Sequence, residues 1–420
     1  MKFIHAADIH LDSPLKGLER YEGAPIEEIR GASRRALENL VALAIEQEVD
    51  FVLLAGDIYD GDWKDFSTGL FFVKQMARLA SANIPVLMIA GNHDAAGKMT
   101  RSLPLPKNVT LLGIKKAETV RLEQLQVAIH GQSFATAAVP ENMVPGYPSA
   151  VRGWFNIGLL HTSLDMEAGG EHDCYAPCKL TDLEAKGYNY WALGHVHQRT
   201  IRGQSPLVAY PGNLQGRHIR ETGAKGCLLV SVTDSHSIQA DFQPLDVFRW
   251  EHCTVDANKA SDGDELLIRF QKAAARLSAQ HEEMPLALRV TFKGRCPAHA
   301  ELARSPDTWI SQVRAAALEV GRGNVWVEKV RLETAGEAQL RETTEDGPLG
   351  ELAELVREIC DSPQLLAELH GELADLEAKL PLELREGTGA LELANPDWLR
   401  RLVTEAQPLL VGRLQQEETA

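Results

Sequence analysis

The chain has no long apolar run. Its longest uncharged apolar stretch, Ile84 to Gly91, is far short of the ~18 residues that cross a bilayer as a helix, so no membrane association is expected. The N-terminal MKFIHAADIH carries polar residues where the apolar segment of a secretory signal would stand. That argues against export and for a cytoplasmic location. Cysteine is scarce, 6 in 420 residues, and only Cys174 and Cys178 lie close together. A disulfide framework is excluded for so long a chain, and without a second pair a zinc-thiolate site is disfavoured. No G-x-x-x-x-G-K-[ST] segment occurs, so any ATP-driven step must come from another chain. Basic excess is missing too: 43 Lys and Arg face 59 Asp and Glu, a net charge of −16. Such a balance ordinarily argues against a nucleic-acid partner. A metal-dependent enzyme escapes that argument, because bound cations supply positive charge that a formal count omits.

The acidity is unevenly placed. From Glu337 to the end there are 19 acidic and 7 basic residues, which leaves the first 336 residues at −4. The length suggests two or three domains at roughly 150 residues each. The apolar fraction of 44% and charged fraction of 24% are those of an ordinary globular protein. Through the first 245 residues short apolar runs recur: FIHAA (3–7), FVLLA (51–55), VLMIA (86–90), VAIHG (127–131), FNIGLL (155–160), YWALG (190–194), LVAY (207–210) and CLLVSV (227–232). Runs of this kind read as strands buried on both faces. Between the first two, Leu37, Leu40, Val41, Ala44 and Ile45 share one helical face, and a shorter helix is expected over 66–80. Strand, helix, strand, helix, strand is the βαβ signature. The later runs crowd around Gly and Pro turns, which suggests a second sheet with antiparallel pairing.

After Pro244 the pattern changes. Strands over 247–255, 286–293 and 325–332, with helices near 263–280 and 307–319, predict a small α+β domain over 246–335. Residues 336–420 form an acidic, helical C-terminal region. In it Leu366, Leu369, Leu373, Leu376 and Leu380 step by three and four, a two-heptad seam, and a last helix is expected from Asp397 to Leu410.

Five short segments each follow directly on an apolar run: Asp8-Ile9-His10, Gly56-Asp57-Ile58-Tyr59-Asp60, Gly91-Asn92-His93-Asp94, His161 in LLHTS, and Gly194-His195-Val196-His197. In layered α/β sheets ligands bind beyond the carboxyl ends of strands, and the glycines let the backbone turn sharply there. Asp8, His10, Asp57, Asn92, His161, His195 and His197 therefore make a candidate set of metal ligands. Without thiolate they do not fit a closed structural zinc site. Seven donors are too many for one transition metal with an open position. Two divalent ions sharing a carboxylate would use them all, and would clamp a phosphate between them. Asp57 is the natural shared ligand. His93 suits a general acid or phosphate donor, with Asp94 beside it to hold the imidazole. Arg217, His218 and Arg220 could grip a phosphate or simply pair with Glu221, and His172 reads as an exposed loop residue.

In these motifs, DxH, GDxxD, GNHD, H and GHxH in that order, the sequence resembles the calcineurin-like metallophosphoesterase superfamily. HAADIHLDSPL, GDIYD and YPGNLQGRHIRETG resemble its SbcD/YhaO-type DNA repair exonuclease branch. The resemblance implies a four-layer α-β-β-α metallophosphoesterase sandwich over residues 1–245, with a small α+β capping domain and a C-terminal helical extension. It implies one metal on Asp8, His10, Asp57 and His197, and another on Asp57, Asn92, His161 and His195, with Mn2+ as the expected ion. It places the essential histidine at His93. Where some nuclease relatives have a histidine, this chain has Asp60, whose role is left as a supporting one. The implied function is a DNA phosphodiesterase, a 3′–5′ exonuclease with endonuclease cutting as a second capability. The implied partners are DNA, an SbcC-like coiled-coil ATPase docked on the leucine seam, and a second copy in a homodimer. Rival readings are an enzyme for small phosphodiesters or phosphoproteins, and a non-catalytic DNA-end tether.

Overall fold

The computed structural model describes residues 1–13, 31–61, 66–96, 104–165, 174–281, 284–336, 348–380 and 391–417. His172 lies outside them. The described residues divide into two compact units, Met1–Glu251 with Met284–Leu288, and His252–Glu283 with Arg289–Ala420.

In the first unit the apolar runs become strands. β1 (Lys2–Ala6), α1 (Ala32–Glu46), β2 (Phe51–Ala55), α2 (Ser67–Ser81) and β3 (Val86–Ile89) follow in order, and β1, β2 and β3 are parallel neighbours. A short helix α3 (Asn92–Ala96) precedes β4 (Val109–Leu111), which adds in parallel to β3. The second sheet takes β5 (Glu118–Leu122), β6 (Val127–Gly131), β7 (Phe155–His161), α4 (Leu180–Glu184), β8 (Tyr190–Gly194), β9 (Thr200–Arg202) and β10 (Leu207–Tyr210). The chain then returns, and β11 (Gly226–Val232) and β12 (Ile238–Pro244) join the first sheet antiparallel beside β1. The orders are β12-β11-β1-β2-β3-β4 and β5-β6-β7-β8-β10-β9.

The second sheet departs from the antiparallel expectation. Its inner strands β6, β7, β8 and β10 run parallel, and only the edges β5 and β9 are antiparallel. Parallel pairing needs crossovers of a dozen or more residues, which segments 132–154 and 162–189 supply.

The alternation of side chains across each strand explains the layers. Phe3, Phe51, Leu53 and Leu87 of the first sheet meet Ile129, Ile157 and Tyr190 of the second in one buried cluster. Ile4, Val52, Leu54 and Val86 point the other way, onto Leu37, Leu40 and Val41 of α1 and Phe72 and Met76 of α2. The outer face of the second sheet, with Leu160, Trp191 and Leu193, is covered by Leu183 of α4 together with Val144 and Tyr147 from loops.

One polar pair lies in the dry layer between the sheets. His5 of β1 is fully buried, with Nδ1 2.9 Å from the Tyr190 hydroxyl and Nε2 3.1 Å from the Leu193 carbonyl. A carbonyl only accepts, so Nε2 carries the proton and Nδ1 accepts from Tyr190. Burial pushes the His5 pKa down to about 3.

In the second unit β13 (Arg249–Asp256), β14 (Leu286–Arg295) and β15 (Val325–Ala335) form a sheet in that order. Helices α5 (Gly263–Gln280), α6 (His299–Arg304) and α7 (Pro306–Val320) accompany it. Phe270 and Ala274 of α5 and Val313 and Ala317 of α7 are buried, and the Phe270 ring lies 6.4 Å from that of Phe292 in β14. The tail is three helices, α8 (Pro348–Asp361), α9 (Pro363–Lys379) and α10 (Pro396–Glu417), which pack on one another while α10 also lies against α6. The leucine seam thus finds part of its apolar partner within the chain. Leu366 is buried, whereas Leu376 is 49% exposed. No helix among the described residues is long and apolar enough to cross a membrane.

His5 sets a pH-dependent stability. Its folded pKa lies below the unfolded value of 6.5, so the unfolded chain binds the proton first and stability falls as pH drops from about 6.5 toward 3. Urea unfolding of His5→Gln and wild type should differ at pH 7.5 by about 1–3 kcal/mol. That gap should shrink by about 2 kcal/mol at pH 5. A gap independent of pH would refute the buried neutral imidazole.

Candidate metal centre

The carboxyl ends of β1, β2 and β3 and those of β7 and β8 meet at one place. Their loops are laced together: Asp8 N–H bonds Gly56 O (3.0 Å), His10 N–H bonds Asp57 O (3.0 Å) and Thr162 N–H bonds Gly194 O (3.1 Å). Several candidate ligands sit on left-handed backbone: Asp8 (φ 52°), His10 (φ 45°), Asp57 (φ 52°) and His195 (φ 101°). Such conformations cost non-glycine residues about 1–3 kcal/mol each and persist where the surroundings enforce them. Of the preceding glycines, Gly56 alone has positive φ, +91°. Gly91 and Gly194 are needed for space instead, since a Cβ on Gly194 would stand 2.0 Å from the Ala55 carbonyl oxygen. The expectation of three turning glycines is corrected to one turn and two close approaches.

Six of the seven candidate ligands converge. Asp8, His10 and His197 offer ligand atoms within 4.8 Å of one another, and so do Asp8, Asp57 and His161. Nε2 of His161 is 3.0 Å from Asn92 Oδ1 and 3.3 Å from Asp57 Oδ2. Nε2 atoms of His10 and His197 are 3.1 Å apart. Asp57 Oδ2 faces both groups, since it is also 3.9 Å from His10 Nε2, while its Oδ1 accepts from His93 N–H at 2.9 Å. His195 comes to the same place by its backbone N–H, which bonds Asp8 (3.0 Å), and by its ring, 5.3 Å from that of His161.

The tautomers show what these atoms can hold. His161 Nδ1 donates to the Ala55 carbonyl at 2.8 Å, and His197 Nδ1 donates to Glu221 Oε1 at 2.7 Å. Each therefore turns an Nε2 lone pair inward, toward carboxylate and amide oxygens that are themselves acceptors. Lone pairs facing lone pairs repel unless a proton or a cation lies between them. With hard oxygen and imidazole donors and no sulfur, the set fits divalent metal ions. A carboxylate behind a ligating imidazole is the usual support for such a site.

The charges agree. Burial raises the Asp8 carboxyl above its ordinary value, and Asp57 beside it adds to this against the opposing imidazoles. Burial would raise Asp57 as well, yet His161 outweighs that and holds it low. Burial disfavours charge on His161, but Asp57 dominates and lifts it to about 9. Burial and the Arg217 guanidinium push His10 down to about 3.

His93 differs from the ligands in being 40% exposed in its side chain. Its Nδ1 lies 2.5 Å from Asp60 Oδ1, so Asp60 holds the imidazole and raises its pKa. The assignment of that task to Asp94 is corrected. Asp94 accepts instead from the backbone N–H groups of Tyr59 (2.9 Å), Gly91 (3.0 Å) and Ile58 (3.2 Å), stapling the β2 and β3 loops. Burial and the Asp57 charge lift its pKa to about 6. Asp60 also accepts from Ser13 Oγ at 2.5 Å. Burial alone would raise it, and the surrounding His10, His93 and Ser13 hold it well below the usual carboxylate range. Asp60 was expected in a supporting role without a named partner, whereas those of Glu221 and Ser13 were not assigned from the sequence. No spacing signals Glu221 and Ser13, because each reaches the site from a different loop. His218 lies 3.4 Å from Glu221 and is 53% exposed in its side chain, and Arg220 is exposed.

The geometry predicts that Asp57→Ala lowers metal content at both positions, as read by elemental analysis after gel filtration. Glu221→Gln should retain the ions but weaken their affinity about 10–100-fold. An Asp57→Ala protein holding two ions per chain would rule out a shared carboxylate.

Comparisons with known proteins show the family. Residues 1–199 match the calcineurin-like phosphoesterase family model, and residues 250–335 match that of the middle domain of metallophosphoesterase YhaO. The uncharacterized metallophosphoesterase YhaO of Bacillus subtilis is 33% identical over 348 residues, 81% of this chain and 83% of its own. The DNA double-strand break repair protein Mre11 of Aeropyrum pernix is 30% identical over 243 residues, 54% of this chain and 56% of that one. The SbcD component of the SbcCD nuclease of Bacillus subtilis is 27% identical over 306 residues, 62% and 71% of the two chains. With motifs, strand-end geometry and a relative matched over most of its length in accord, the chain belongs to the YhaO-type calcineurin-like metallophosphoesterases, hydrolases that work with a dinuclear metal site.

Proposed function

We propose that the chain is a manganese-dependent DNA phosphodiesterase, a 3′–5′ exonuclease that also cuts internally, serving DNA repair in the cytoplasm. The observation that carries the reading is the His93–Asp60 pair, with His93 40% exposed, standing beside a largely buried ligand set. The relatives Mre11 and SbcD favour DNA as the substrate class. Divalent ions held by Asp8, His10, Asp57, Asn92, His161, His195 and His197 would polarise the phosphoryl oxygens and activate water. The chain's own residues do the rest. Glu221 and the Ala55 carbonyl fix the two imidazoles by their Nδ1 protons, so the donors are oriented before substrate arrives. Asp60 takes the His93 Nδ1 proton in a hydrogen bond, which leaves Nε2–H free to protonate the departing oxygen. The hydrogen bond to Asp60 also raises the pKa of that imidazole.

The decisive assay compares labelled single- and double-stranded DNA with bis(4-nitrophenyl) phosphate across a series of divalent metals. Cleavage of the small diester alone would refute the nuclease reading. His93→Gln should lose about 10²–10⁴-fold in turnover while keeping both ions and DNA binding. Metal loss in step with activity would make His93 a ligand instead.

We also propose that the tail docks an SbcC-like ATPase through leucines its own helices leave uncovered, Leu355 (50% exposed) and Leu376 (49%) among them. Leu376→Glu should abolish co-purification with such an ATPase and leave cleavage of short single-stranded DNA unchanged. Full co-purification of that variant would eliminate this surface.

A further inference from the structure

Arg217 follows β10 in the loop that carries Glu221, and it stands among the polar groups of the site without being satisfied by them. A guanidinium offers five N–H donors in a planar fork and accepts nothing. Its Nη2 is 3.5 Å from Glu221 Oε1 and its Nη1 is 3.6 Å from Asp60 Oδ2, at or past the limit of a hydrogen bond. Nη2 also lies 3.4 Å from His197 Nδ1, but that nitrogen already donates its proton to Glu221 and has no lone pair to offer. Among the described residues, Nε is buried without a partner. The side chain is 19% exposed, so only part of the fork is open to solvent. Buried polar groups in native proteins are nearly always bonded, and an exception calls for a missing partner.

The surroundings identify that partner. Asp60 reaches His93 with one oxygen and Arg217 with the other, so the imidazole and the guanidinium flank one carboxylate at the same opening. The two carboxylates keep Arg217 in place by charge while leaving its fork free. A planar fork matches two oxygens of a tetrahedral oxyanion, which a lysine cannot do. We propose that Arg217 is a substrate-binding residue that grips the non-bridging oxygens of the phosphoryl group being cleaved. This rests on the phosphoesterase reading of the site and not on DNA as its substrate.

The test is calorimetric titration of inorganic phosphate into the manganese-loaded full chain, with metal content measured on the same samples. Arg217→Gln should weaken phosphate binding about ten- to hundredfold, the range for losing a charge-assisted hydrogen bond, with both ions retained. Arg217→Lys keeps the charge without the fork and should fall between. Unchanged affinity in Arg217→Gln overturns the proposal, as does a wild type that takes no phosphate. Metal loss in Arg217→Gln overturns it too, by making the residue a strut for His197. Should Arg217→Gln not fold, Arg217→Lys decides: wild-type affinity rejects the role, and weaker binding at full metal content upholds it. A wild type that cuts no DNA, with the phosphate difference intact, would sink the nuclease reading and leave Arg217's role standing.

Discussion

The hydrogen bond from His161 Nδ1 to the carbonyl of Ala55, at 2.8 Å, joins the end of β7 in one sheet to the end of β2 in the other. It can form only because the two sheets approach to backbone contact there, with Gly194 set against the same Ala55 carbonyl. That closeness fixes the imidazole's tautomer, brings Asp8 and Asp57 of one sheet against the histidines of the other, and forces ligand residues onto left-handed backbone. The buried aromatic and aliphatic layer between the sheets, with Phe3 stacked on Phe51 at 4.8 Å, resists their separation. Hydrophobic packing thus supplies the rigidity that a set of mutually repelling carboxylates cannot supply for itself.

What the sequence makes legible, and what it hides, follows from range. Strands buried on both faces announce themselves as apolar runs, and the bounds of β2, β6, β8 and β10 are those of their runs. The short or half-exposed strands β4, β5, β9 and β12 do not: Glu118–Leu122 and Ile238–Pro244 mix exposed polar residues with apolar ones and lack the signal. The candidate ligands were readable because each ends or follows a strand in a motif. Which carboxylate holds which imidazole was not, because adjacency in sequence misleads. Asp94 follows His93, but in helix α3 successive residues do not share a face, and the carboxylate that meets His93 comes from the end of β2 instead. Glu221 reaches His197 from a loop 24 residues later. Strand direction in the second sheet was obscured for a related reason, since crossovers without long helices resemble hairpin turns.

Charge in the molecule follows the same division. The metal centre gathers acidic and imidazole groups that no formal count would recommend for a phosphate substrate, while Arg217 supplies a cation the protein leaves under-bonded. The tail holds most of the net negative charge, and its described helices bury some of their leucines, among them Leu366 and Leu399, which are 2% exposed.

The position of β11 has a consequence for how the protein comes into being. β1 is made first, yet its neighbours are β2 on one side and β11 on the other, with Phe3 opposite Phe51 and also opposite Val230. As the chain leaves the ribosome, β1 keeps an open hydrogen-bonding edge until more than two hundred residues have followed it. An apolar strand with a free edge is a template for pairing with the wrong chain, and the contacts that close it are among the slowest to form. Glu221, which directs His197, arrives just before β11. The carboxylate that directs His197 is therefore made only as the strand that seals the sheet begins.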